Sequence, residues 1–342
     1  FNKSGGTAFP SSTITVNSSL EVASGTFNLS NNDLSVGTDL FGLGELAAAA
    51  GGAAETVSVG RDMSITTFTA ANSVVVFDTA QPATVSGYAF DGLTIGKIAG
   101  GNISFTGDTS TALQPTVNAA AYDISINGAT NSFAGLTTFA NTGTLTIGDQ
   151  ATDSTSFVGG ATATAPSSVT LQGSLTATDS TLSLGDGGTP VLLASNVTLS
   201  SGTGDVTLGG TVNGAFDMLV NSTGTTTFGG VVGGVTPPSS LTTNAGGTSR
   251  LNGDVTTNGA IDFGDQLFLD AAVVLTSNGN TIDTAAVEGP GDLTVNAGAG
   301  ATTFGGAVGA TTPVGDGIGP AITINSTGTT EFGTTVETAS GI

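Results

Sequence analysis

Five aspartates lie close enough in sequence to raise the question of chemistry. Asp262, Asp265 and Asp270 fall within nine residues, and Asp149 and Asp153 are four apart. Paired carboxylates are the working groups of glycoside cleavage, one as acid and the other as base or nucleophile. The composition supplies little to work with them. The chain has no His and no Cys, which excludes a Ser-His-Asp triad, an imidazole base, a thiol nucleophile and any thiolate metal site. Its only basic residues are Lys3, Arg61, Lys97 and Arg250, too scattered to hold an acidic polysaccharide in a cleft. Carboxylates spaced through glycine turns are more often turn formers. The expectation is a non-enzyme with no catalytic, cofactor-binding or metal-ligating residues.

Charge narrows the partners. Twenty-six acidic residues against four basic ones give a net charge of -22. Phosphate backbones need clustered Lys and Arg, so nucleic acid is excluded as a partner, and anionic membrane surfaces are disfavoured on the same ground. Asp side chains and carbonyls at turns make oxygen-rich corners that suit calcium. The Gly-Gly-x-Gly-x-Asp repeat of calcium-binding β-rolls is absent, and calcium is the one cofactor the sequence leaves open. Thr pairs such as Thr142 with Thr144 and Thr225 with Thr227 raise ice binding, but they do not recur at a fixed spacing.

What positions these residues is a repeated short strand. An apolar residue, a Ser or Thr, and a second apolar residue recur as Ile14-Thr15-Val16, Leu34-Ser35-Val36, Val57-Ser58-Val59, Ile103-Ser104-Phe105, Ile124-Ser125-Ile126, Leu145-Thr146-Ile147 and Val206-Thr207-Leu208. With a side-chain period of two, each triplet turns two apolar groups inward and one hydroxyl outward. Glycine follows many of them, as in Gly148-Asp149 and Gly229-Gly230, where sharp corners call for a positive φ. Only 9% of residues are charged, so Thr, Ser and Asn must form most of the surface. No apolar run reaches the roughly 18 residues that a helical bilayer span requires, which argues against an integral membrane protein.

After Leu219 the chain resembles itself. Phe228 and Phe304, each followed by Gly-Gly, recur at an interval of roughly 76 residues. Leu241, Asn244, Gly247, Leu251 and Val255 match Ile322, Asn325, Gly328, Phe332 and Val336 at a constant interval of roughly 81 residues. The difference fits an insertion at a corner, residues 313–320. Within this repeat, Asn221, Asn244, Asn296 and Asn325 each precede an apolar anchor by seven or eight residues: Phe228, Leu251, Phe304 and Phe332. The four Asn are expected in turns and the four anchors in one internal ladder. Their spacing suggests units of about 23 to 29 residues. A unit that short cannot bury an apolar face alone and must stack on its copies.

The fold expected is all-β, a right-handed parallel β-helix (β-solenoid) of about 13–14 coils, an elongated rod about 65 Å long at the usual strand spacing. Its parts are β-coils over 1–38, an irregular loop or short helical insertion over 39–56, less regular coils over 57–218, and coils with the 76–81 residue repeat over 219–342. A weaker seam lies at residues 158–166, and the pattern running to Ile342 without a cap suggests continuation into a longer chain.

Thr226-Thr227-Phe228-Gly229-Gly230 and Thr302-Thr303-Phe304-Gly305-Gly306, with the strands after Leu241 between them, resemble repeats of bacterial surface proteins of the filamentous-haemagglutinin and autotransporter-passenger type. The resemblance covers the chain after Leu219. It implies secretion, a cell-surface location and a part in attachment or in a surface filament, and it brings no ligand or binding residue. The expected role is therefore a structural block of an extracellular fibre, self-associating end to end. The alternative is an adhesin stalk that presents a loop, residues 39–55 or 311–320, to a glycan or a cell-surface ligand.

Overall fold

The computed structural model describes residues 6–49 and 54–341. Among them there is no helix, and every strand pairing is parallel. The chain forms two compact units, divided between Gly159 and Gly160 inside the 158–166 seam. Both are built as a parallel β-solenoid, about 14 turns in all.

In the unit before Gly160 each turn lays strands on three faces. The first face holds Leu34–Val36, Glu55–Val59, Ser73–Phe77 and Gly92–Ile95 in succession. The second holds Ala83–Val85, Ile103–Phe105, Ile124–Ile126 and Thr144–Ile147. On the third, Ser110–Thr111, Thr130–Phe133 and Ser154–Phe157 stack in turn. Alternation does the sorting: Ile103, Phe105, Ile124 and Ile126 are buried, while Ser104 and Ser125 between them are half-exposed.

The unit after Gly159 repeats the arrangement. Its first face carries Leu182–Leu184, Val206–Leu208, Thr225–Phe228, Thr248–Leu251 and Gln266–Leu269. The second carries Val273–Thr276, Leu293–Gly298 and Ile322–Ser326, and the third Ser240–Thr243, Ile261–Phe263, Ile282–Thr284, Thr302–Phe304 and Thr330–Phe332. Two strands, Ser168–Ala177 and Val191–Gly202, run through a corner without a break. Their register shifts between Leu171 and Gly173, which is how a continuous strand turns.

One turn is shorter than the spacing of the Asn residues suggested. Val57 pairs with Val75 and Leu182 with Val206, steps of roughly 18 and 24 residues that span the ordinary range. Longer steps occur only around the insertion, at Thr302 to Thr330 and Leu293 to Ile322. Residues 313–320 occupy a corner there, between the bridge at Val308 and the strand from Ile322. The sequence spacing misled because it compared residues on different faces. Asn244 follows the third-face strand Ser240–Thr243 and Asn296 lies on the second face, so the interval between them covers two turns and two further faces.

The long repeat behaves the same way. From Phe228 the first face climbs through Leu251, Leu269 and Val287, and the chain then passes along the second face to reach Phe304 on the third. The repeat thus advances three turns and two faces, so matching residues sit on different sides of the coil.

The region expected to be an irregular or helical insertion is a strand over Leu40–Ala47, paired on both sides. Glycine hides the alternation: Gly42 has φ +130°, and a Cβ there would lie 2.3 Å from the Val22 carbonyl oxygen. Residues 50–53 of that region lie outside the described residues.

Candidate functional site

Asp262, Asp265 and Asp270 do not meet. Asp149 and Asp153 do, and after burial the Asp153 carboxyl is what holds the Asp149 carboxyl above the usual range. Asp262 points outward, one turn from Asp283 in the same register. Burial and then the Asp283 charge hold its carboxyl above the usual range. Asp265 is buried; its Oδ1 accepts the Gly247 N–H at 2.7 Å and its Oδ2 accepts the Ser249 hydroxyl at 3.3 Å. Burial pushes its carboxyl up as well, against the pull of those hydrogen bonds. Asp270 pairs with Arg250, whose Nε donates to Oδ2 at 3.0 Å and whose Nη2 donates to Oδ1, while the guanidinium lies 4.4 Å over the Phe268 ring. Asp153 is a turn former, accepting the N–H groups of Asp149 and Gln150 at 2.8 and 2.9 Å. Among the described residues no three acidic side chains converge on a point that could hold a metal ion.

The acidic residues do share one arrangement that sequence reading missed. An Asp just before a strand accepts, through Oδ1, the backbone N–H about one turn further along. Asp33 takes Thr56 N–H at 2.8 Å, Asp62 takes Thr84 at 2.8 Å and Asp108 takes Thr130 at 2.8 Å. Asp123 takes Thr144 at 2.7 Å, Asp205 takes Thr225 at 2.7 Å and Asp254 takes Val274 at 2.8 Å. Each carboxylate extends the backbone ladder by one rung. Asn does the same: Asn102 accepts Asp123 N–H at 2.9 Å and Asn196 accepts Asp217 N–H at 3.0 Å. The signal was present in the sequence as Asp directly before an inward apolar residue, as in Asp33-Leu34, Asp123-Ile124, Asp205-Val206 and Asp254-Val255.

Two shallow grooves open on the outer faces. One, of about 310 Å³, lies over Thr84, Ser104 and Ser125 beside the Asn102–Asp123–Thr144 column. The other, of about 430 Å³, lies over Thr198, Leu219 and Thr242 beside Asn196, Asp217 and Ser240. In both, the carboxylate is already committed: Asp123 also accepts the Asn102 Nδ2–H at 3.0 Å, and Asp217 accepts the Ser240 hydroxyl at 2.7 Å.

The buried cation is Lys97. Its side chain is fully enclosed, with Nζ donating to the carbonyls of Gln81 at 2.9 Å and Gly60 at 3.4 Å and lying 5.9 Å from the Phe77 ring. Desolvation draws its pKa down to about 8, partly opposed by Asp78 and Asp62. Arg61, by contrast, pairs with Asp39 at the surface, and its guanidinium holds the Asp39 carboxyl below the usual range. Lys3 lies outside the described residues.

The anchor residues split between two ladders. Phe228 pairs with Leu251 on the first face, both buried. Phe304 stacks on Phe332 on the third face, ring centroids 4.8 Å apart and planes 4° from parallel, with Phe304 buried and Phe332 half-exposed. Of the four Asn residues expected in turns, three are in strands: Asn221, Asn296 and Asn325. Asn325 Nδ2 donates to Asn296 Oδ1 at 3.1 Å, bridging two turns of the second face. Asn244 alone sits at a corner, where its Oδ1 accepts the Ser222 N–H at 2.7 Å. The three were misplaced because an Asn side chain can ladder along a strand as readily as it can close a turn. Among the described residues no helix is long and apolar enough to cross a membrane. No family model, curated protein or solved structure matches this chain, so its own residues carry the functional reading.

Proposed function

We propose that this chain is a structural block of an extracellular bacterial surface fibre, its coils supplying length and stiffness rather than a reaction. The observation that supports this reading most is the register itself: turn after turn pairs in parallel on three faces, so every turn adds backbone hydrogen bonds and buried side chains to its neighbours. Each fully buried Phe or Leu contributes about 1.5–3 kcal/mol to that stack. The acidic residues serve the same end, as ladder extensions at strand starts. The resemblance of the Thr-Thr-Phe-Gly-Gly segments to haemagglutinin-type repeats points to secretion and to the cell surface. End-to-end self-association is the partner this role calls for, with no enzyme activity and no cofactor. Negative-stain electron microscopy of the purified chain tests it: filaments with a constant axial repeat are expected, and discrete particles that bind glycans or cells would favour an adhesin stalk instead.

The adhesin reading keeps one specific support. The corner insertion carries Ile318, 78% exposed, and the corner after Val232 carries Val235, 86% exposed. These are large apolar groups held out on loops, which is where a scaffold presents binding residues.

A further inference from the structure

The strand-start carboxylates pose a question that capping alone leaves open. Asn102 and Asn196 perform the same backbone capture as Asp33, Asp108, Asp205 and Asp254, at distances of 2.9 and 3.0 Å against 2.7–2.8 Å. In the Asn102–Asp123–Thr144 column an amide and a carboxylate even occupy successive rungs. The neutral side chain therefore suffices for the fold, and it would avoid stacking like charges. Yet carboxylates recur at these positions, exposed or half-exposed. Asp262 and Asp283 even stand in register one turn apart, where the neighbouring charge adds to burial in raising the Asp262 pKa. Like charges placed directly opposite destabilise a sheet.

The faces that these charges flank are of a kind that packs. Thr15, Ser35 and Ser58 run in register beside Asp33, Ser110, Ser132 and Ser156 beside Asp108, and Ser183, Thr207 and Thr227 beside Asp205, each a column of short hydroxyl side chains. Sheets with such small, regular side chains approach one another face to face at about 10 Å.

We infer that the carboxylates at strand starts and on the outward columns keep neighbouring copies of this chain from packing side by side through their hydroxyl faces, a duty separable from their hydrogen bonds. The inference stands whether or not the chain builds a fibre, because it concerns lateral contact only. With four basic residues in the whole sequence, no countercharge is at hand to bridge two such faces. Salt then becomes the control: the reach of these charges falls from about 30 Å at 0.01 M to about 8 Å at 0.15 M.

The test replaces Asp33, Asp108, Asp205, Asp254, Asp262 and Asp283 together by Asn, which removes six negative charges from a net of -22 while leaving each Oδ1 acceptor in place. Circular dichroism and the melting temperature are expected to match the unsubstituted chain. At about 20 mM NaCl, where screening is weak, the variant should sediment as side-by-side oligomers, seen as widened particles by negative-stain microscopy, while the unsubstituted chain stays dispersed. A folded variant that stays as dispersed as the original, or that only lengthens, overturns the inference. Should the variant fail to fold, light scattering of the unsubstituted chain decides. Its second virial coefficient should turn from positive to negative between about 20 and 300 mM NaCl, and a coefficient that stays positive throughout overturns the inference.

Discussion

The two units solve one geometric problem with different fillers. After Gly159 the corner between first and second faces is tight at most turns, with Leu251 followed four residues later by Val255 and Leu269 by Val273, and fully buried Leu and Val close it. It lengthens at Leu184–Val191, where the Thr189 hydroxyl donates to the Pro166 carbonyl at 2.7 Å, and at Val308–Ile322, where Glu288 accepts the Thr311 and Thr312 N–H groups. Before Gly160 the same corner lengthens from Val59–Met63 to Ile95–Ile103. Long polar side chains reach carbonyls there: Lys97 those of Gln81 and Gly60, and Tyr122 those of Asn118 at 3.0 Å and Ile95 at 3.2 Å, the last of which also accepts the Asn118 N–H. Buried backbone carbonyls must find donors, so a corner that varies in length recruits them from side chains. In both units the longer corners are the ones where a polar side chain completes the backbone accounting, and they are commoner before Gly160.

Aromatic packing should separate the units least and cost most. Phe157 stacks on Phe133 and meets Phe139 edge to face, and Phe263 meets Phe228 edge to face. Phe157→Ala and Phe263→Ala should each lose about 3–5 kcal/mol in chemical denaturation; a loss under about 1 kcal/mol at either would mean that the ring is not enclosed as described.

Lys97 should mark the first unit by pH. The folded chain gives up its proton near pH 8, whereas the unfolded chain holds it to about 10.5. Folding therefore releases a proton between those values, and this lysine's share of stability climbs with pH across the window by up to about 3 kcal/mol, opposed above about pH 10 by Tyr88 and Tyr122, whose phenols burial pushes up. The gain is absent below pH 8 and complete above 10.5. Lys97→Met should abolish that slope, and a slope that survives the substitution would assign it elsewhere.

Asn131 is the next most exacting filler. It accepts the Thr109 N–H at 3.0 Å and donates to the Gly128 carbonyl at 2.7 Å and the Thr155 hydroxyl at 3.2 Å, all buried. Asn131→Ala should cost about 2–3 kcal/mol, because it strands a donor and an acceptor away from water. The smallest effect belongs to the strand-start caps. Asp205→Ala should lose about 1 kcal/mol and Asp205→Asn close to none, and equal losses would show that charge, rather than the acceptor oxygen, holds Thr225.

The sequence made most of this architecture legible where strands alternate cleanly. Ile103-Ser104-Phe105 and Ile124-Ser125-Ile126 announce their own inward and outward sides, and stacking follows from their shortness. The third face of the first unit was opaque because its inward residues include Thr111, Asn131 and Thr155, which read as surface. Leu40–Ala47 was opaque because Gly42 and Gly44 interrupt the pattern at the bend. The long repeat was legible as similarity but not as geometry. Periodicity in sequence counts residues, while the coil counts faces, and the two agree only when every turn has one length. The caps were missed for a related reason: Asp33 and Thr56 are 23 residues apart, and only the turn length brings them together.

Register between turns is the claim on which everything else rests, and the lack of native Cys makes it directly testable. Ser104 and Ser125 lie opposite each other on adjacent turns of the second face, while Ser132 is on the third. A Ser104→Cys/Ser125→Cys chain should form an intramolecular disulfide on mild oxidation, since opposed strand positions fall within the Cα separation of about 4.4–6.8 Å that a disulfide requires. Ser104→Cys/Ser132→Cys should not. A disulfide in the second pair and none in the first would contradict the three-faced coil.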